Sequence, residues 1–372
     1  MRRLGLRGAL PVLVGVAVAA CGGPILAVPP ADRPTSPPSS SSSPVAPDPA
    51  PVVLPADDAP HQRLTEWWYY TGHLRDGDGG RWGFEFVVFR AERGPLPVAW
   101  ASHLAFTDET GGGFAYDQRS EIGGAVDRSA PSDDGFNFVL TAPTAEGGTE
   151  PWAMRGSGGT DRLSGSLAGG PALDLALETD RPPALHDRDG WVDFGPAGGS
   201  YYYSRTRMAA RGSLVVQGRR RAVDGLAWFD HQWGDFISVG GSGWDWFAVN
   251  LDDGTDLTLS VVRDTDGSPS LVYGTLVDDA GARHLARDEF TVEATGSWTS
   301  SRTGARYPAG WLIAIPDEAL RIRLTPTVAD QELDTRASTG VVYWEGSQIV
   351  DATRSGAPLR GESYVELTGY AG

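Results

Sequence analysis

The chain turns on Gly225-Leu226-Ala227-Trp228-Phe229-Asp230-His231-Gln232-Trp233-Gly234-Asp235, followed after a Gly- and Ser-rich break by Gly243-Trp244-Asp245-Trp246-Phe247-Ala248. This stretch holds four tryptophans, three acids and a histidine. Successive side chains of a strand point to opposite faces. Trp228, Asp230 and Gln232 therefore share one side, and Phe229, His231 and Trp233 the other. The two parts read as the last strand of one barrel running into the first strand of a second.

The same period of two recurs outward from this point. Phe136-x-Phe138-x-Leu140, Leu173-x-Leu175-x-Leu177, Leu257-x-Leu259-x-Val261 and Leu320-x-Ile322-x-Leu324 alternate in this way. Asp78-Gly79, Asp134-Gly135, Asp189-Gly190, Asp253-Gly254 and Asp266-Gly267 supply hairpin turns between such runs. No long capped segment of helical period interrupts them. The fold class is all-β, and so many short strands exceed one small barrel, so two tandem antiparallel barrels or sandwiches are expected. The boundary is placed in the Gly/Ser-rich break, giving units 63–238 and 239–372. Each half opens on an aromatic strand, Trp67-Trp68-Tyr69-Tyr70 or Trp244-x-Trp246-Phe247, which hints at an internal duplication.

The N-terminus has a different texture. Residues 1–20 carry Arg2, Arg3 and Arg7, then an apolar run from Gly8 to Ala20 that is too short to cross a hydrocarbon core of roughly 30 Å. Val18-Ala19-Ala20-Cys21 reads as a lipobox, so Cys21 is expected to be lipidated and to anchor an exported protein to a membrane. A plain export signal that happens to contain a Cys is the alternative. Residues 21–62 hold the Ser39–Ser43 run and most of a Pro-rich stretch without aromatic residues, and are expected to form a disordered linker. Cys21 is the single cysteine, so no internal disulfide is possible. The formal charge of -17 repels phosphate backbones and excludes a nucleic-acid partner.

Three constellations could carry chemistry. In Glu66-Trp67-Trp68-Tyr69-Tyr70, Glu66 and Trp68 share a face, so an acid lies among aromatic rings. In Tyr201-Tyr202-Tyr203, Tyr201 and Tyr203 share a face and offer two phenol hydroxyls. In the opening stretch, Asp230 next to Trp228 would be desolvated, which disfavours its charged form and makes it a candidate general acid. Surrounding rings would stabilise a cation. Such a site can protonate a carbon–carbon double bond or cyclise a polyene. For each group the competing reading is structural: a carboxylate bonded to backbone, an aromatic strand, a capped strand end. The chain has no G-x-S-x-G elbow, H-E-x-x-H or P-loop, and its six histidines lack metal-ligand spacing, so neither metal nor cofactor is called for.

Glu66-Trp67-Trp68-Tyr69-Tyr70-Thr71-Gly72, Gly83-Phe84-Glu85-Phe86, Trp228-Phe229-Asp230-His231-Gln232-Trp233-Gly234, Tyr343-Trp344-Glu345-Gly346 and Gly361-Glu362-Ser363-Tyr364-Val365-Glu366-Leu367 together resemble the AttH/carotenoid 1,2-hydratase-like family. The resemblance covers about residues 63–372. It implies two lipocalin-like barrels, bacterial members often labelled secreted hydrolases, and fungal pericyclases as distant relatives. It also implies a proton-donating Asp at Asp230, with Trp228 where the hydratases carry Tyr. Their upstream His-x-Trp pair lines up best with Tyr201-x-Tyr203. If the chain is an enzyme, a hydro-lyase is expected. Asp230, Tyr203 and Tyr201 would be catalytic, and Trp228, Trp233, His231, Glu66 and Trp68 would bind a hydrophobic isoprenoid-, lipid- or polyketide-like molecule. The alternatives are a carrier of such a molecule, in which Asp230 is only a hydrogen-bond acceptor, or an envelope scaffold.

Overall fold

Alternation becomes sheet throughout the computed structural model, which describes residue 25 and residues 49–130, 134–236 and 243–371. Among these, the first sheet comprises β1 (Thr65–Asp76), β2 (Arg81–Ala91), β3 (Ala99–Asp108), β4 (Gly113–Ile122), β5 (Phe136–Leu140) and β6 (Trp152–Ser157). It continues with β7 (Thr160–Ser166), β8 (Ala172–Glu178), β9 (Ala184–Leu185), β10 (Trp191–Asp193), β11 (Gly199–Val216) and β12 (Arg219–Gly234). Its order, β4-β3-β2-β1-β12-β11-β8-β7-β6-β5, curls the sheet almost into a barrel. Arg119 bridges the gap between the edges, its guanidinium donating to the Leu140 carbonyl at 2.9 Å and lying 4.2 Å from the Trp152 ring centre.

The second sheet and its satellites are β13 (Gly243–Leu251), β14 (Asp256–Arg263), β15 (Pro269–Asp278), β16 (Gly281–Leu285), β17 (Thr291–Ala294) and the separate pair β18 (Ser297–Thr299) and β19 (Arg306–Pro308). They continue with β20 (Trp311–Ile315), β21 (Leu320–Pro326), β22 (Glu332–Thr335), β23 (Val341–Arg354) and β24 (Ala357–Thr368). The two all-β bodies expected from alternation are present. Residues 237–242 of the Gly/Ser-rich break, and the expected leader 1–20 with Cys21, lie outside the described residues.

Each sheet wraps a core of its own. Trp68, Tyr70, Phe84, Phe86, Phe138 and Trp152 fill the first barrel. Phe247, Leu259, Trp311, Ile313, Trp344 and Val365 fill the second. Lone strands of a barrel turn their other face to water, but here the outer faces of β1, β2 and β12 are buried against β13 and β24. Tyr69, Val87 and Trp228 meet Trp246, Ala248 and Tyr364 in one apolar cluster. Each such aromatic side chain contributes roughly 2–3 kcal/mol on burial, so burial across this seam helps hold the two sheets together.

The expected disordered linker ends earlier than residue 62. Residues 49–62 are packed on the first barrel, with Val52 and Leu54 against its core. Asp58 is fully buried, bonded by both oxygens to Arg205 at 2.8 and 2.9 Å. An isolated guanidinium inside a barrel is costly, and the Pro-rich segment supplies its counter-charge. Nothing local in the sequence announces this pairing, because Arg205 lies far along the chain.

Candidate active site between the two sheets

The register of β12 places its two faces in different environments. Tyr69 pairs with Asp230 across β1–β12, and Ser204 with Asp230 across β11–β12. Phe229, His231 and Trp233 point into the first barrel, whereas Asp230 and Gln232 line a cavity in the seam. Its walls are largely aromatic: Trp67, Tyr69, Phe89, Trp244, Trp246 and Tyr273. The space inside it that admits the centre of a water-sized molecule is about 100 Å³.

Four acids gather here, two from each sheet; Asp230, Glu85 and Glu366 line the cavity, and Glu345, outside the lining, is bonded to Tyr69. Asp230 and Glu85 come from the first barrel, and Glu345 and Glu366 are cross-strand partners on β23 and β24. Burial pushes Asp230 up to about 6, against the pull of Ser204, Tyr202 and Trp228. Burial pushes Glu85 up to about 8, opposed by Tyr343 and helped by the charge of Glu366. Glu366 rises to about 7 for the same chief reason, and Glu345 lies well above the carboxylate range because it also faces Glu366 and Glu85.

Hydrogen bonds distinguish these acids further. Asp230 receives three donors: Tyr202 Oη at 2.5 Å, Trp228 Nε1 at 2.6 Å and the Ser204 hydroxyl. Tyr202 can donate because Trp246 Nε1 already donates to its oxygen at 3.0 Å. Ser204 can donate because neutral His186 supplies the bond to its oxygen (2.7 Å) and takes Thr275's hydroxyl on the other ring nitrogen (2.9 Å). Burial holds His186 neutral, with its pKa lowered to about 3. Every proton around Asp230 points at it, the pattern of an ionised acceptor. Glu85 and Glu345 each keep one buried oxygen without a hydrogen-bond partner. That is an expensive arrangement that a bound molecule would relieve.

The model of the AttH-like family matches residues 45–370. An AttH protein of Nitrosomonas europaea superimposes with a TM-score of 0.75 at 31% identity, over 89% of this chain and 100% of that one. The chain belongs to the AttH-like family. This AttH-like protein also shares its fold with kievitone hydratase from Nectria haematococca (TM-score 0.65, 15% identity, 86% of this chain and 94% of that one). The same holds for CghA, solved with Sch210972 (TM-score 0.54, 14% identity, 82% and 88%). No curated protein matches it in sequence.

The expected site residues of the AttH-like chain divide between two places. Asp230 lines the seam cavity, with Trp228 behind it. Tyr201, Tyr203, Trp233, His231, Glu66 and Trp68 face the interior of the first barrel instead, so they do not share a pocket with Asp230. The correction is one residue of register: the phenol and hydroxyl that reach Asp230 belong to Tyr202 and Ser204, not to Tyr201 and Tyr203. Tyr203 instead donates to Asp58. Glu66 Oε1 accepts from His61 Nδ1 at 2.7 Å and His231 Nε2 at 2.9 Å. These donor atoms lie close enough to gather a metal ion. Here, however, their lone pairs and protons already satisfy one another as an ion pair, and against the desolvation that lowers it His61 is raised to about 9 by the Glu66 and Asp57 carboxylates together.

Sequence reading missed Glu85, Glu345 and Glu366. Their signal was present, a lone acid inside an aromatic strand as in Phe84-Glu85-Phe86 and Trp344-Glu345-Gly346. It was unreadable because an outward-facing acid on a barrel is ordinarily a solvated one.

Proposed function

We propose that this AttH-like protein is a hydratase-type enzyme that adds water across a double bond of a small, apolar, unsaturated molecule held in the seam. The observation that carries the reading is the set of three desolvated acids, Asp230, Glu85 and Glu366, on an aromatic-walled cavity, with Glu345 beside Glu366 on the neighbouring strand. A carrier of the same molecule needs the walls but gains nothing from desolvated carboxyls, each unit of raised pKa costing about 1.4 kcal/mol when the group ionises. Aromatic faces stabilise the carbocation that protonation creates. The hydratase among the fold neighbours supports the chemistry, and the ligand-bound CghA supports the small-molecule class.

Within this reading Asp230 is held ionised and takes the proton of the attacking water. The expectation from sequence gave Asp230 the opposite role, and the three donors around it are the reason for the change. The test is a panel of acyclic polyenes and prenylated phenols incubated in D₂O, with deuterium and hydroxyl gain followed by mass spectrometry. Asp230→Asn should lower turnover by two to four orders of magnitude while melting temperature and ligand retention stay close to wild type. Turnover at the wild-type rate in that variant would sink the proposal. We also propose, from residues 1–21, that the protein is exported and lipid-anchored. Cys21→Ser should then move it from the membrane fraction to the soluble one, and continued membrane retention would refute the anchor.

A further inference from the structure

Counting protons outward from Glu85 leads beyond the cavity. Glu85 Oε1 lies 2.8 Å from Tyr343 Oη, which lies 2.8 Å from His103 Nδ1. His103 Nε2 lies 3.0 Å from Ser338 Oγ. The Ser338 hydroxyl has two acceptors besides, the Gln118 amide oxygen at 2.7 Å and the Thr335 carbonyl at 3.3 Å. Gln118 is oriented by its nitrogen, which donates to the Asp334 carbonyl at 2.7 Å. Both neighbours of Ser338 can only accept, so its proton goes to one of them, and His103 Nε2–H must donate to Ser338.

Two arrangements complete the chain. If His103 is neutral, its Nδ1 is bare and takes the Tyr343 proton, so Tyr343 oxygen must accept from a protonated Glu85. If His103 is charged, Tyr343 donates to a Glu85 carboxylate. The two differ by one proton moved from Glu85 to His103. Charge separation inside a dry seam decides between them. Burial pulls His103 down to about 3, and burial together with the Glu366 charge pushes Glu85 up to about 8, so the neutral pair holds.

We propose that Glu85 is the proton donor of the seam cavity and that Tyr343, His103 and Ser338 are positioning residues that keep its proton in place. The donor role rests on the hydratase reading; the protonation state does not. Glu85 gives its proton to one carbon of the double bond, forming C–H and leaving a cation on the other carbon. Water forms the C–O bond there and passes its proton to the Asp230 carboxylate. Tyr343 then turns its hydroxyl from His103 to the new Glu85 carboxylate, which stabilises it. The cycle closes when Asp230 releases a proton to water and Glu85 regains one from it.

Infrared difference spectroscopy of the full chain without substrate, at pH 7, reads this directly. Wild type should show a neutral-carboxyl C=O stretch that Glu85→Gln lacks. Tyr343→Phe, which folds independently of that substitution, should keep the band but shift it to the frequency of a carboxyl with no acceptor. Absence of any band difference in Glu85→Gln, together with an unshifted spectrum in Tyr343→Phe, would overturn the proposal. With a turned-over polyene in hand, Glu85→Gln should lose at least a hundredfold in kcat with KM held, and wild-type kcat would equally overturn the donor role. An ionised Glu85 alongside a dead Asp230→Asn would remove this inference and leave the hydratase reading standing. A neutral Glu85 with no unsaturated molecule consumed would do the reverse.

Discussion

Asp230 and Glu85 are carboxyls in one dry seam, yet their neighbours treat them oppositely. Three donors converge on Asp230, while the hydroxyl nearest Glu85 is directed to a bare histidine nitrogen. Paired acids with divergent surroundings are how a site performs acid and base chemistry at one pH. The pH dependence follows. Asp230 must be ionised and Glu85 protonated, so kcat/KM should rise as pH climbs through about 6 and fall as it passes about 8. Glu345, Glu366, Tyr343 and His103 face the same acids, so the measured limbs belong to the group as a whole. A profile with only a fall through about 6 would return the donor role to Asp230.

At the scale of strands, alternation was a reliable guide to which residues share a face and a poor one to what that face meets. The sorting of Glu66, Trp68 and Tyr70 from Trp67, Tyr69 and Thr71 is the sorting in β1, and Trp228 to Trp233 divide in β12 as their order implies. A strand of a free-standing barrel offers its interior as the pocket. The partner sheet reverses that, making the interior a filled core and the outer face the site. Tyr201 and Tyr203, grouped with Asp230 through their alignment with the hydratases' His-x-Trp pair, lie on the core side of β11 instead. The segment at 49–62 shows the same limit, since the worth of Asp58 depends on Arg205 inside the barrel. Asp58→Ala should cost about 3 kcal/mol by leaving that guanidinium buried and unpaired, read as a lower urea midpoint. A loss below about 1 kcal/mol would mean that Asp161, a second buried carboxyl whose charge acts on Arg205, compensates.

The whole molecule is two sheets with one site between them. Resemblance and alternation made the pair of bodies legible. The packing of one against the other was not, because it depends on matching surfaces contributed by distant strands. Across the seam, Tyr69 donates to Glu345 at 2.8 Å, the Glu85 carboxyl and the Tyr343 hydroxyl share a hydrogen bond of 2.8 Å, and Thr107 donates to Gln331 at 2.8 Å. Glu85 and Glu345 each have their phenol partner on the opposite sheet, whereas the three donors to Asp230 come from its own.

Two acids on each side of that seam make the chemistry a property of closeness. If the sheets part by the width of a water layer, the carboxyls regain their hydration and return toward ordinary acidity, while both cores remain folded. On the hydratase proposal, activity should therefore be lost by wetting before the protein unfolds. In a urea titration, activity should vanish at a lower concentration than the β signal in circular dichroism, and coincident midpoints would show that the seam and the sheets melt as one.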